Sequence, residues 1–249
     1  MISTVLLAGA LIAVAVEGLI CILMATPIAA ALALLGALIG WAIQMRPFGG
    51  RDAGTVVPSL ALLLPALLGI ERAAQPEPPL REVATCVLVD APPARVWQHV
   101  VAFAELPPPR ELLFRAGIAY PLRAEIDGAG PGAVRHCVFS TGAFVEPIEA
   151  WDEPRRLEFR VAAQPPSMRE MTPYPAIAPA HLENFLVSKR GRFRLEATPD
   201  GRTRLEGTTW YTNRMWPASY WAIFSDEIIH RIHLRVLEHI RARAESGRG

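Results

Sequence analysis

"GRFRLEATPDGRTRLEGTTWY", Gly191 to Tyr211, reads as two strands joined by a turn. Pro199, Asp200 and Gly201 suit a tight connection: proline presets φ, aspartate bonds its own backbone, and glycine supplies a positive φ. Strand side chains alternate between faces, so Phe193, Leu195 and Ala197 share one side while Arg192, Arg194 and Glu196 share the other. In the second strand Thr203, Leu205, Thr209 and Tyr211 oppose Arg204, Glu206, Thr208 and Trp210. The charged side is a solvated outer surface laced by cross-strand pairs rather than a catalytic cluster. The apolar side needs a cover.

That cover is one long helix, from about Ala218 to Ala244. Neither Gly nor Pro interrupts it, and Phe224, Ile228, Ile232, Val236 and Ile240 mark an apolar stripe. Its arginines crowd the C-terminal half, where they complement the helix dipole. Upstream, "EVATCVLVDA" is a strand, "PPARVWQHVVAF" a helix opened by prolines, and "ELPPPRELLFRAG" a short second helix. Further strands are "PLRAEID", "AVRHCVFSTGAF" after the turn "GAGPG", and two in "VEPIEAWDEPRRLEFRVAAQ" around Asp152 to Pro154, making about six with the hairpin. Antiparallel strands followed by one amphipathic helix predict an α+β domain in which a curved sheet wraps that helix.

The front of the chain differs in character. Of 249 residues 51% are hydrophobic, and the excess lies before Ala73. Thr4 to Met45 contains no Lys or Arg, enough for about two crossings at ~20 residues each. Pro27 divides it into spans of about Thr4 to Met24 and Ile28 to Met45. Glu17 is costly inside the first span and has no basic partner there. The run far exceeds the ~7–15 residues of a signal-peptide core and lacks a charged start. Thr55 to Ile70 forms a third apolar segment, kinked by Pro58 and Pro65. Residues 1–72 therefore read as a transmembrane anchor, 73–82 as a Pro-rich linker and 83–246 as the domain. Such an anchor places the chain in a membrane, read as a bacterial inner membrane. With three crossings, Arg46 and Arg51 put their loop in the cytoplasm and the domain outside, in the periplasm; Arg72 and Arg81 at the other end make the count a tie, and two crossings reverse it.

Together, Val87 to Phe103, Phe144 to Val161, the hairpin and the closing helix resemble the START-like (SRPBCC) superfamily, in particular its polyketide cyclase/dehydrase-like branch. The likeness covers roughly Arg81 to Ser246. It implies a helix-grip fold whose cavity, between sheet and C-terminal helix, holds lipids, sterols or polyketides; family members differ in chemistry and many catalyse nothing. On this reading the partner is a hydrophobic small molecule or lipid, and no prosthetic cofactor is implied.

Alternation places Phe193, Leu195, Leu205, Thr209 and Tyr211 against the helix, joined by Leu157, Phe159 and Val161 from "LEFRV". The helix adds Phe224 and Ile228. These residues form a pocket wall; a plain core fits them almost as well, and the margin for a pocket comes from the resemblance. His136 faces inward in this reading, with Val134 and Val138, so that with Tyr211 or Glu146 it makes a thin acid/base site, His136 and Tyr211 being the fair candidates in a cyclase or dehydratase; the alternative is a histidine bonded within the sheet. Trp210 breaks the pattern by joining the charged face. With Trp216 and Trp221 at the strand-to-helix corner it reads as a membrane-interface ring; the alternative is that the corner aromatics cap the core.

Several chemistries lack their minimum parts. A net charge of +1 argues against a nucleic-acid partner, which needs a concentrated basic face. Glu227 and His230 stand at metal-site spacing, but in one copy only. No HExxH, GxSxG, P-loop or paired CxxC occurs. Of the three cysteines, Cys21 lies in an apolar span, leaving Cys86 to Cys137 as the one available bridge, with free thiols preferred. Three functions follow: a membrane-anchored domain that binds or transfers a hydrophobic ligand (lipid, isoprenoid or polyketide-like), a cyclase or dehydratase, and a scaffold with a filled core that binds a protein.

Overall fold

A computed structural model describes residues 9, 19–45, 77–169 and 185–246. The chain divides into two units, the first holding most of one apolar helix and the second everything from Pro79 onward.

The helix of the first unit, α1, runs from Leu19 to Met45 without interruption. Pro27, read from the sequence as a boundary, lies inside it. Pro27 has no N–H to give the Leu23 carbonyl, yet the helix continues through it; one residue before it, the Thr26 hydroxyl donates back to the Ile22 carbonyl at 2.7 Å. Among the described residues Ile20–Ala42 is one candidate span, where the sequence suggested two or three. Most of the first predicted span, Glu17, the loop carrying Arg46 and Arg51, and the segment Thr55 to Ile70 lie outside the described residues.

The second unit contains β1 (Arg81–Val89), α2 (Pro93–Val101), α3 (Leu112–Arg115), β2 (Pro121–Asp127), β3 (Val134–Phe139), β4 (Gly142–Asp152), β5 (Arg156–Arg160), β6 (Leu186–Ala197), β7 (Thr203–Asn213) and α4 (Ala218–Ser246). All seven strands join one antiparallel sheet in the order β1-β7-β6-β5-β4-β3-β2, and α4 packs against β1 and β7. This is the helix-grip arrangement. The first strand begins two residues before the predicted domain start, because Arg81 and Glu82 pair with Tyr211 and Trp210. The strand count agrees with the sequence reading, one before the helices and six after, but one boundary moves: Ser140 and Thr141 turn the chain inside "AVRHCVFSTGAF", Gly142 adopts φ 145°, and "GAF" runs on into "VEPIEAWD" as β4.

Burial follows strand parity. Val83, Thr85, Val87 and Val89 point inward from β1, while Glu82, Ala84, Cys86 and Leu88 point out. The C-terminal half of α4 closes the main core through Val236, Leu237, Ile240 and Ala244, against Val96, Trp97 and Val100 of α2 and Leu157, Leu195 and Leu205 of the sheet. On α4 the buried positions are Ala222, Ser225, Ile229, Val236, Leu237, Ile240 and Ala244. The predicted stripe stepped by four at every turn, which drifts about 40° per step on a 3.6-residue helix; the observed face mixes threes and fours. Phe224 and Ile228 therefore rotate to half-exposed positions.

Tyr211 is fully buried beside the smaller cluster of Val83 and Ile229. Its hydroxyl donates to Asp226 Oδ1 at 2.5 Å, meets Ser225 Oγ at 2.7 Å and accepts from Arg81 Nε at 3.2 Å. One phenol thus ties β7 to α4 and to the start of β1. Bonds to charged groups contribute ~1.5–3 kcal/mol, so Tyr211→Phe lowers the unfolding free energy by about 2 kcal/mol. Denaturant titration measures this loss; a shift below about 0.5 kcal/mol, the usual range of surface changes, would mean the hydroxyl bonds carry little.

Candidate functional site

Beneath the middle of α4 the inward face is incompletely filled, leaving a cavity of about 120 Å³. Arg135, Cys137 and Phe139 of β3 form one side, with Phe144 and Glu146 of β4 and Phe159 of β5 beside them. Gly191 and Phe193 of β6 and Gly207 and Thr209 of β7 form the far wall. The roof is Ile229, Ile232, His233, Val236 and Leu237 of α4.

Ser188, Arg190, Arg192 and Thr208 add polar atoms at the β6–β7 side of the cavity, and two hydrogen-bonded polar pairs interrupt the lining. Arg135 and Glu146 stand directly opposite in the β3–β4 register, and the Arg135 Nη1 donates to the Glu146 carboxylate. Both are buried, with Arg135 only 2% exposed. Arg135 Nε also donates to the Val101 carbonyl at 3.2 Å, and its guanidinium lies 5.5 Å from the ring centres of Phe103, Phe159 and Phe193. Burial pushes the Glu146 carboxyl up, and the adjacent arginine opposes the shift. Burial also pushes the Cys137 thiol up to about 12, so it is no nucleophile. The second pair is Thr209 and His233, whose Oγ1 and Nε2 are 2.7 Å apart. Desolvation, with His230 nearby, lowers the His233 pKa to about 4, leaving a neutral imidazole at pH 7.

Of the residues expected in the pocket, Phe159, Val161, Phe193 and Thr209 line the cavity. Leu195 and Leu205 share the inward face but belong to the filled core beside it. Phe224 and Ile228 have rotated off, and Ile229 and Ile232 take their place. Tyr211 is committed to its lock. His136 was assigned to the wrong face: Arg135 and Cys137 are buried while His136 is half-exposed. Grouping it with Val134 and Val138 required the arginine to face water, whereas a directly opposed glutamate lets that arginine face in. With β4, β5 and β6 between β3 and β7 in the sheet, His136 and Tyr211 are not brought together.

Trp210 lies on the charged outer face, as alternation requires, yet is 9% exposed. Arg190 and Arg192 sit 4.1 Å and 5.0 Å from its ring centre, and its Nε1 donates to Glu82 at 2.9 Å. This cation-π cover replaces the lipid contact expected of it. Trp216 is 67% exposed; Trp221 is half-buried, donates from Nε1 to the Trp216 carbonyl at 3.0 Å and packs with Tyr220 and Phe224. Glu227 accepts from Arg231 and His230 bonds Thr85, so neither is held toward the other. Cys86 and Cys137 are free, the first exposed and the second buried.

Sequence reasoning missed Arg135, named Glu146 only as a partner for His136, and did not place His233 among the pocket residues. A signal for the first two was present: Arg135 shares parity with Cys137 and Phe139, and Glu146 with Phe144 and Ile148, so opposite charges stood on two apolar faces of adjacent strands.

No protein-family model matches the chain, and no curated protein matches it. Among solved structures it is similar to a norcoclaurine synthase point mutant from Thalictrum flavum, at 12% identity and a TM-score of 0.45, covering 70% of this chain and 100% of that one. An aromatase/cyclase from Streptomyces sp. R1128 is 17% identical with a TM-score of 0.39, over 67% of this chain and 94% of that one. A protein from Nitrosospira multiformis is 17% identical with a TM-score of 0.42, over 68% of this chain and 100% of that one.

Proposed function

We propose that the α+β domain binds a small, largely apolar guest beneath α4 and holds its polar end between the Arg135–Glu146 and Thr209–His233 pairs, while α1 keeps the domain at a membrane where such guests partition. The cavity carries this reading: an apolar wall with a few converging polar groups is the usual make-up of a small-molecule site. Its volume narrows the guest. A lipid-sized molecule needs more than about 300 Å³, whereas an apolar cavity of about 150 Å³ holds benzene. A space near 120 Å³ suits one ring, a short branched chain, or the end of a longer isoprenoid or polyketide-like molecule. Each buried methylene contributes roughly 0.8 kcal/mol to entry. The exposed Trp216 and Ile223, near the start of α4, supply apolar surface suited to a membrane interface.

Binding is favoured over catalysis because the proposed acid/base pair, His136 with Tyr211, is not assembled at the cavity. It is favoured over a scaffold because the inward face is not filled. Purification of the full-length chain from native membranes, followed by solvent extraction and mass spectrometry, yields a co-purifying apolar small molecule on this reading.

Two glycines in the wall make the test specific. A Cβ on Gly207 would meet Leu237 and Phe193 at 3.6 Å, ordinary contact, so Gly207→Ala folds normally while placing a methyl in the wall. It weakens guest retention about tenfold, the effect of one methylene in an apolar pocket. A Cβ on Gly191 would overlap the Phe159 ring, so Gly191→Ala costs about 1–3 kcal/mol of stability through overpacking. Absence of any guest, together with failure of toluene to bind, would overturn the proposal.

A further inference from the structure

A continuous chain of four side chains leads away from the cavity. Thr209 Oγ1 lies 2.7 Å from His233 Nε2, and His233 Nδ1 lies 3.2 Å from Thr85 Oγ1. Thr85 Oγ1 in turn lies 2.7 Å from Nδ1 of the half-buried His230. Thr209 and His233 line the cavity. Thr85 is 4% exposed, so its hydroxyl depends on these two rings for partners.

Each hydroxyl carries one hydrogen and each neutral imidazole one N–H, so the chain can be satisfied in two ways. In the first, Thr85 donates to His230 Nδ1, His233 donates from Nδ1 to Thr85, and Thr209 donates to the bare His233 Nε2. Thr209 then offers only lone pairs to the cavity. In the second, every bond is reversed: His230 donates from Nδ1 to Thr85, Thr85 donates to His233 Nδ1, and His233 donates from Nε2 to Thr209. The Thr209 hydrogen is then free to point at a guest. Both states leave all three bonds intact and no charge is created, so the two differ little in energy, and a single bond to a guest selects between them.

We infer that Thr209, His233, Thr85 and His230 form a polarity relay that lets the cavity take either a hydrogen-bond-donating or a hydrogen-bond-accepting ring compound and transmits that choice to the tautomer of His230. The inference rests on the proposed guest-binding function, which it deepens by naming the polar chemistry of the guest. Within the relay, Thr209 makes the switchable hydrogen bond to the guest, and His233 and His230 act as positioning residues behind it.

The test uses the full-length chain in nanodiscs with ¹⁵N-labelled histidine, of which the protein has 6. Two five-membered-ring probes of similar size have opposite hydrogen-bonding character: pyrrole, which donates from N–H, and cyclopentanone, which only accepts. Occupancy is followed through the Ile229 and Leu237 methyl resonances, and the tautomers through the ring ¹⁵N shifts. Pyrrole is expected to give Nδ1–H at His233 and Nε2–H at His230; cyclopentanone gives the opposite pattern at both. With Thr209→Val both probes lose their polar partner and bind more weakly, and at saturating probe the histidine pattern no longer depends on which one is present. His230→Phe leaves Thr85 donating to His233, fixes the second state, and weakens pyrrole about tenfold relative to cyclopentanone. If both probes bind and His233 shows the same tautomer with each, the relay is wrong and the binding function stands. If neither probe binds, the guest-binding reading fails and the relay fails with it.

Discussion

Glu146→Ala lowers the unfolding free energy by about 3–5 kcal/mol, a large part of the stability of a small domain. The loss is not the value of one salt bridge. It arises because Arg135, 2% exposed and surrounded by Phe103, Phe159 and Phe193, keeps its charge when its only carboxylate partner among the described residues is removed. The Val101 carbonyl that accepts from Nε does not neutralise it. Replacing both partners by apolar side chains of similar volume, Arg135→Met with Glu146→Leu, removes the charge together with its counter-charge. That double variant recovers most of the loss, because a buried pair offsets its own desolvation only approximately. Chemical denaturation followed by tryptophan fluorescence checks both. Equal destabilisation by the single and double variants would show that packing, rather than the stranded charge, sets the cost. A stable double variant would also isolate function: it keeps the apolar cavity and loses one of the two polar pairs that orient a guest.

The second large effect is acid sensitivity. The His233 pKa falls from 6.5 to about 4 in the folded protein, because desolvation disfavours the charged ring and His230 adds repulsion. In the unfolded chain the same ring takes up a proton near pH 6.5. The stability it contributes is therefore complete above pH 6.5 and drains away as pH falls toward 4, at about 1.4 kcal/mol per pH unit for one proton. The total reaches roughly 3 kcal/mol. His99 and His239 are lowered in the same direction by their own partial burial, so a shallower slope persists without His233. His233→Gln removes the titrating ring and keeps an amide able to reach Thr209. Denaturant titrations at pH 7, 6, 5 and 4 should show a slope smaller by about one proton in the variant. Identical slopes would mean that the His233 ring is hydrated and titrates normally.

Most of the fold was legible because its elements announce themselves by parity and punctuation. The Pro199–Gly201 turn, the prolines before α2 and the unbroken α4 were each read from the residues alone, and the inward set Leu157, Phe159, Phe193, Leu195 and Leu205 followed from alternation. The errors have separate causes, and the first is that polarity is a poor guide to exposure. Turning His136 inward with Val134 and Val138 leaves Arg135 in water, although Glu146 across the register permits a buried arginine. Tyr211 was given to the ligand although three polar partners on β1 and α4 claim its hydroxyl. A stripe of fours on α4 selected Phe224 and Ile228 and passed over His233, which no apolar pattern can flag. Pro27 suggests a boundary between two spans, but a single proline costs one backbone bond, and the helix Leu19–Met45 runs through it. Such pairings are made across strands and cannot be read within one.

Everything proposed about function depends on real space beneath α4. Diffraction from crystals of the protein held under xenon pressure tests this directly, since xenon enters apolar cavities of this size without any polar contact. The expected result is a xenon peak enclosed by Phe159, Phe193, Ile229 and Leu237, absent or displaced in Gly207→Ala. Electron density showing those side chains meeting one another, with no xenon between them, would contradict it.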